Sequence, residues 1–431
     1  MTELHVEEAA KSLAGTVRVP GDKSISHRAI MLGSVADGPT RIHGFLVAED
    51  CLRTVDCFRK MGVAISQPSA DEVVVDGKGW EGLREPDAVL DVGNSGTTIR
   101  LLLGILAGRP FHSVIQGDAS IARRPMKRVV KPLREMGAHI DGRQEGNYAP
   151  LAVRGGSLTG IEYTSPVASA QVKSAILLAG LQATGKTMVH EPCPSRDHTE
   201  RMLSAFGVTV TRQGSTTIVD GMQRLQGGVQ LRVPGDISSA AYFLVAASLV
   251  KGSSLLLKEV GINPTRTGIL DVLQAMGGSV EILNRQTWGD EPVADLLVQA
   301  SDLQATVIEG NLIPRLIDEI PVIAVLATQA EGTTIIRDAQ ELRVKETDRI
   351  ATVSRFLKDM GANVEPTADG MIIHGPTPLK GAVVDTSGDH RIGMAAFVAG
   401  LIASGRTRIC NAEAINVSFP GFAEQFRQLL R

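Results

Sequence analysis

Aromatic residues make up only 3% of this 431-residue chain: two Trp, three Tyr and ten Phe. That scarcity argues against a platform for stacking nucleic-acid bases and leaves the core to Leu, Val, Ile and Ala. Cysteine is scarcer still. Cys51, Cys57, Cys193 and Cys410 form no C-x-x-C pair and no zinc-like Cys/His spacing, so they read as reduced, partly buried thiols and no metal site is expected. An excess of charge is lacking too. The 44 Lys and Arg against 47 Asp and Glu give a net charge of -3, too near neutral for a nucleic-acid binder or a membrane-surface protein. Any basic site must therefore be a local concentration of cations, which suits small anionic ligands. No run approaches about 18 uninterrupted apolar residues. The opening MTELHVEEAAKSL is acidic where a secretory signal is basic and then apolar, so a cytoplasmic location is expected.

What the sequence does have is repetition. VRVPGDKSISHRAIML at 17–32 returns as LRVPGDISSAAYFLV at 231–245, which divides the chain into two related halves. Within each half a smaller unit recurs: a polar opening, an Ala/Leu-rich helical run, and a Gly-x-Thr-like stop before a β-branched strand. The stops are Gly38-Pro39-Thr40, Gly185-Lys186-Thr187, Gly252-Ser253-Ser254, Gly332-Thr333-Thr334 and Gly405-Arg406-Thr407, with Gly108-Arg109-Pro110 a degenerate sixth. A second helix ends at Met61-Gly62, Met136-Gly137, Phe206-Gly207, Met276-Gly277 and Met360-Gly361, where glycine suits a left-handed C-cap. The pattern predicts an α/β protein of six units, three per half, with the sixth cut short at Leu429-Leu430-Arg431. The halves should cross at the two RVPGD copies, giving one domain of 1–19 plus 234–431 and another of 20–233. LAGTVRV before the first copy resembles LQGGVQLRV before the second, so residues 1–19 should pack with the C-terminal half. The repeat also disposes of a decoy. Gly180 to Thr187 fits the phosphate-binding P-loop pattern, but here a helix precedes it and a strand follows, the reverse of what that loop needs.

Each Ala-rich helix opens on a different polar signature: Lys23-Ser24, Gly93-Asn94-Ser95-Gly96-Thr97-Thr98, Ser169-Ala170-Gln171, Asp236-Ile237-Ser238, Asp318-Glu319 and Gly388-Asp389-His390-Arg391. Such residues cap helices. Capping alone accounts for Asp236 and Ser238, which have no basic residue nearby in sequence. Lys23 and Arg28 are different, because a cation at a helix start is electrostatically unfavourable and an anion would relieve the conflict. Gly93 to Gly96 offers backbone N–H groups to an anion with no Cβ in the way at the glycines. Arg100, Arg123, Arg124, Lys127, Arg128 and Lys131 add positive charge, of which one or two should serve a site. In Arg343-Val-Lys345-Glu346-Thr347-Asp348-Arg349, Thr347 or Asp348 can cap the following helix, while Glu346 among Lys345 and Arg349 is a candidate for proton transfer.

GDKSISHR, GNSGTTIR, SAQVKSA, RVKETDR and GDHRIGMAA, in this order, closely resemble the 5-enolpyruvylshikimate-3-phosphate synthases over nearly the whole chain. Within that family GDKS, SAQVK, RDHTE and NPTR look like class II marks. The resemblance implies two similar domains, each of three βαβαββ units, that close over ligands held in the cleft between them. It further implies transfer of the enolpyruvyl group of phosphoenolpyruvate to the 5-hydroxyl of shikimate 3-phosphate, by a monomer without metal or cofactor. By the same resemblance, Lys23, Ser24, Arg28, Ser169, Ala170, Gln171, Arg196, Asp318 and Lys345 meet shikimate 3-phosphate. Lys23, Gly96, Arg124, Gln171, Arg349 and Arg391 meet phosphoenolpyruvate. Asp318, Glu346 and Lys23 are the implied catalytic groups. Class I members carry a lysine in the segment that here reads Ile415-Asn416-Val417-Ser418-Phe419-Pro420, so that contact has no counterpart. Glyphosate, which competes with phosphoenolpyruvate in this family, is expected to inhibit with intermediate strength. The rival readings are UDP-N-acetylglucosamine enolpyruvyl transferase, whose reactive cysteine is absent from the matching loop Gly117–Arg124, and a non-catalytic anion-binding relative.

Overall fold

The computed structural model describes residues 2–7 and 10–431. The chain divides into two compact units. The N-terminal unit is Gly21–Val233 with Thr287–Glu291; the C-terminal unit is the described part of Met1–Pro20 with Pro234–Gln286 and Pro292–Arg431. The repeat pattern leaves Thr287–Glu291 in the half that begins at 234, whereas these residues group with Gly21–Val233. They are the tip of a long hairpin, Ser279–Trp288 and Glu291–Gln299, with the turn at Gly289-Asp290, and a hairpin tip is free of the periodicity that marks the repeats.

Each unit is built around three helices. In the N-terminal unit these are α1 (Lys23–Ser34), α2 (Gly96–Leu106) and α3 (Ala170–Gly180); in the C-terminal unit, α4 (Ile237–Leu249), α5 (Ile320–Ala327) and α6 (His390–Gly400). A helix that is apolar or small on every side must be buried on every side. Nearly every residue of these six is, and within each unit the three pack on one another. Glycine and alanine permit the close approach: a Cβ at Gly104 of α2 would lie 2.2 Å from the Ala175 carbonyl oxygen of α3.

Three sheets surround each trio, and one plan recurs. Leu90–Asp91 runs parallel to His112–Gln116, which pairs antiparallel with Tyr148–Arg154, which pairs antiparallel with His139–Gly142. The same order holds for the sheets centred on Lys186–His190 and Gly332–Ile336. Alternate residues of the strands face the helices, as in Glu72–Lys78, where Val73 and Val75 are buried. The two RVPGD copies are preceded by equivalent edge strands: Ala14–Val17 runs parallel to Ser254–Gly261 in the C-terminal unit, and Val229–Arg232 parallel to Ala36–His43 in the N-terminal unit.

The outer helices end as the Met-Gly and Phe-Gly marks require. Gly62, Gly137, Gly207, Gly277 and Gly361 all have positive φ, between +77° and +111°. The sixth unit is less truncated than its sequence suggests. It has an outer helix, Phe422–Leu429, and its sheet of Val383–Asp385 and Thr407–Cys410 is completed by Leu4–Val6, paired antiparallel from the far end of the chain. The scarce aromatics are not spread thinly either: Tyr242, Phe243, Phe397, Phe419, Phe422 and Phe426 form one cluster, with Phe243 and Phe426 stacked at 4.2 Å. Among the described residues, no helix is long and apolar enough to cross a membrane.

Candidate active site

Within the N-terminal unit, polar side chains in the first two turns of the helices are linked, Arg28 of α1 to Ser174 of α3 and Arg100 of α2 to Gln171 of α3. Asp22 caps α1 by accepting from Ile25 N at 2.9 Å, and Lys23 Nζ lies 2.8 Å from Asp50 Oδ2. The conflict read for Lys23 at a positive helix start is eased here by two carboxylates of the protein, Asp22 and Asp50. Arg28 is buried farther along α1. It donates to Thr199 Oγ1 at 2.7 Å, to Ser174 Oγ at 3.0 Å and to the Ser24 carbonyl at 3.0 Å. Burial lowers its pKa to about 10, the nearby Arg196 charge adds to that, and Glu200 and Asp22 oppose it. Ser24, Arg28 and Arg196 thus form one neighbourhood. Its support is Lys173, only 2% exposed, which pairs with Glu191 at 2.9 Å and Glu200 at 2.8 Å. Burial opposes the Lys173 charge, but the two glutamates outweigh it and raise the pKa.

A second neighbourhood forms at the starts of α2 and α3. Ser95 caps α2 by accepting from Thr98 N at 3.2 Å, and Ser169 caps α3 by accepting from Val172 N at 3.4 Å. Gly96 opens α2 with the Arg124 guanidinium laid against it: an added Cβ would sit 2.7 Å from Arg124 Nη1. Gln171, which follows Ala170 in the first turn of α3, accepts from Arg100 Nη1 at 2.8 Å and donates to Thr97 Oγ1 at 3.0 Å, so its amide is fixed from both ends. Of the cations noted around this loop, Arg100 and Arg124 are buried, whereas Arg123, Lys127 and Lys131 are exposed.

The C-terminal unit gathers its helix starts around arginines. Arg349 is 1% exposed and reaches Asp318 at 3.3 Å, Glu346 at 2.6 Å and Asp389 at 2.8 Å, while Lys345 lies 3.5 Å from Asp318. Burial disfavours the Arg349 charge, but Asp389 and Glu346 more than offset this and raise its pKa. Lys345 shifts the other way, its pKa lowered by burial against the pull of Asp318. Asp348 rather than Thr347 caps the helix Arg349–Asp359, accepting from Ala351 N at 3.1 Å. Arg391, buried at the start of α6, has its pKa raised because Asp318, Tyr242 and Glu319 outweigh its desolvation. Asp236 does cap α4, but not for want of a cation. Buried Arg266, 30 residues away in sequence, donates to Asp236 at 3.1 Å and to Ser238 at 2.7 Å, and Ser238 in turn donates to Glu319.

The sequence named the helix starts but missed what braces them. Asp50 lies in none of the quoted motifs, and although Ser174, Thr199 and Arg266 fall in SAQVKSA, RDHTE and NPTR, nothing in those motifs points to their partners. Asp389 was visible only as a cap, although it is also the closest carboxylate to Arg349 Nε. The segment Ile415–Pro420 starts in the second half of the short helical turn Ala412–Val417 and buries Phe419 in the aromatic cluster. No thiol serves the loop Gly117–Arg124, where Asp118 instead accepts from the backbone N–H of Ser120 and Ile121. The Cys57 thiol is pushed up to about 12 by burial, and burial also raises Cys193.

This architecture has close relatives along its whole length. A curated protein of Brevibacillus brevis named 3-phosphoshikimate 1-carboxyvinyltransferase is 65% identical over 96% of this chain and 97% of its own. One of the same name from Shouchella clausii is 60% identical over 98% of both chains. A solved EPSP synthase from Acinetobacter baumannii superposes with a TM-score of 0.88 at 45% identity, covering 99% of this chain and 98% of its own. The family model described as EPSP synthase (3-phosphoshikimate 1-carboxyvinyltransferase) matches residues 7–426, and with that span and those identities the chain belongs to the EPSP synthase family.

Proposed function

We propose that this protein transfers the enolpyruvyl group of phosphoenolpyruvate to the 5-hydroxyl of shikimate 3-phosphate, giving 5-enolpyruvylshikimate 3-phosphate and phosphate. It works as a cytoplasmic monomer without cofactor or metal. The observation that carries this reading is the hold of one buried guanidinium, Arg349, on the carboxylates of both Asp318 and Glu346. Two carboxylates with different neighbours suit two different proton transfers. Asp318 accepts the proton of the attacking hydroxyl as its oxygen bonds to C2 of phosphoenolpyruvate. Glu346 and Lys23 handle protonation at C3 in the addition step and removal of a C3 proton when phosphate leaves. Ser24, Arg28, Ser169, Ala170, Gln171, Arg196 and Lys345 bind shikimate 3-phosphate together with Lys23 and Asp318. Gly96, Arg124, Gln171, Arg349 and Arg391 bind phosphoenolpyruvate, and the fixed cations stabilise charge as it develops at both ends of the intermediate.

Mixing the protein with both substrates and following phosphate and the enolpyruvyl ether is the direct test. Asp318→Ala and Glu346→Ala should each lower kcat by about 10²–10⁴-fold while calorimetry still detects shikimate 3-phosphate binding. Wild-type turnover in either variant removes that carboxylate from the mechanism, and no phosphate release by the wild type rejects the activity.

A further inference from the structure

A chain of buried side chains runs from α1 to the cap of α2. His27 Nδ1 lies 2.7 Å from Thr54 Oγ1, Thr54 Oγ1 lies 2.7 Å from Thr98 Oγ1, and Thr98 Oγ1 donates to Ser95 Oγ at 2.7 Å. All four residues have no exposed surface. A hydroxyl has one proton to give, and that fixes the direction of the chain. Thr98 spends its proton on Ser95, so Thr54 must donate to Thr98. Thr54 then has only lone pairs left for His27, so His27 must carry its proton on Nδ1. Nε2, buried with no hydrogen-bond partner, is then a bare lone pair rather than an orphaned N–H, the less costly of the two. Burial also keeps the ring neutral, lowering its pKa to about 3, with Lys23 and Arg28 adding to the effect and Asp50 opposing it.

We propose that His27 is a positioning residue: as the neutral Nδ1–H tautomer it orders the Thr54–Thr98–Ser95 chain and so sets the backbone N–H groups of the Gly96 turn beside Arg124. Ser95 is where the chain acts, because its Oγ accepts from both the hydroxyl and the backbone N–H of Thr98. Rotation of Ser95 would turn Gly96 and Thr97, whose N–H groups lack intrahelical partners at the first turn. This inference rests on the proposed phosphoenolpyruvate site at Gly96 and Arg124.

Two measurements test it. Long-range ¹H–¹⁵N correlation should show the His27 Nδ1 protonated and Nε2 bare; an Nε2–H ring overturns the proposal whatever the protein catalyses. In kinetics, His27→Leu and Thr54→Val break the chain at different links. Both should raise KM for phosphoenolpyruvate by about three- to tenfold, the worth of one or two hydrogen bonds, with KM for shikimate 3-phosphate unchanged. His27→Asn, whose amide N–H can stand in for Nδ1–H, should recover most of the loss. Two folded broken-link variants with unchanged KM, or with both KM values raised alike, would overturn the role. If the wild type turns over neither substrate, the functional reading fails, and the tautomer measurement still decides the chain.

Discussion

At the scale of single residues, the candidate site shows why a motif can be legible while its energetics are not. The GDKS and SGTT signatures are local: a cap and the N–H it satisfies are two or three residues apart, so the sequence displays both. Asp22, Ser95, Ser169, Asp236 and Asp389 each cap as such spacing requires. The counter-charges come from afar, Asp50 to Lys23 across 27 residues and Asp389 to Arg349 across 40, and no spacing marks either pairing. Gly96 shows the same limit. By resemblance to the family Gly96 meets phosphoenolpyruvate, and its missing side chain would leave room for the longer glyphosate, but the Arg124 guanidinium lies against it. Gly96→Ala must therefore displace the far end of Arg124 first. We expect KM for phosphoenolpyruvate to rise about tenfold, the order of one charge-assisted hydrogen bond, and the glyphosate inhibition constant at least as much. An unchanged KM would mean that Arg124 yields without cost or does not meet this substrate.

His27 gives a second prediction at this scale, through stability rather than turnover. Its pKa falls from 6.5 unfolded to about 3 folded. Between those values the unfolded chain binds a proton that the folded one refuses, so stability is full above pH 6.5 and is lost as pH falls toward 3. The slope is about 1.4 kcal/mol per pH unit. His27→Asn does not titrate and lacks that slope. Urea unfolding at pH 6.5, 5.5 and 4.5 should show the wild type losing ground to His27→Asn by about that amount per unit. A constant gap would place the folded and unfolded pKa values together.

At the scale of elements, periodicity made the helices plain and sheet partners remained hidden. A run such as Ile320–Ala327 announces a buried helix by being apolar throughout, and glycine after Met or Phe announces its neighbour's end. By contrast, Leu4–Val6 pairs with Thr407–Cys410 across some 400 residues, and three alternating residues carry no address. Charged pairs that join elements are equally silent. Lys173 on α3 binds Glu191, just after the strand Lys186–His190, and Glu200 on the helix His198–Ala205, tying three elements of one repeat. Breaking such a group strands a buried charge, whereas removing all of its charges need not destabilise. Lys173→Met should cost about 3–5 kcal/mol in unfolding experiments, and adding Glu191→Gln and Glu200→Gln should restore much of it. If the triple variant is no more stable than Lys173→Met, the lysine's contribution is packing rather than charge.

At the scale of the molecule, the doubled RVPGD motif has a steric reason. A Cβ at Gly21 would fall 1.9 Å from the Gly44 carbonyl oxygen, so only glycine passes there, and one at Gly235 would fall 2.8 Å from Val19 Cγ2, which would have to shift. Between the crossings, Gly21–Val233 is one continuous stretch with its own trio of buried helices, its own three sheets and a core that includes Ile30, Leu102 and Ile176 at 0% exposure. A stretch of that size with its own core should fold alone. It would lack Thr287–Glu291, and with it the 2.6 Å pair between His198 Nδ1 and Glu291 Oε1. The isolated 21–233 fragment should therefore unfold in one cooperative urea transition, at a lower midpoint than the same fragment carrying Glu291 on a short appended hairpin. It retains Lys23, Ser24, Arg28, Ser169, Gln171 and Arg196 but not Asp318 or Lys345, so calorimetry should detect shikimate 3-phosphate binding weaker than that of the whole chain, without turnover. Absence of a cooperative transition would show that the repeats need the other unit to fold. A folded fragment with no measurable affinity would move the main grip on shikimate 3-phosphate to the C-terminal unit.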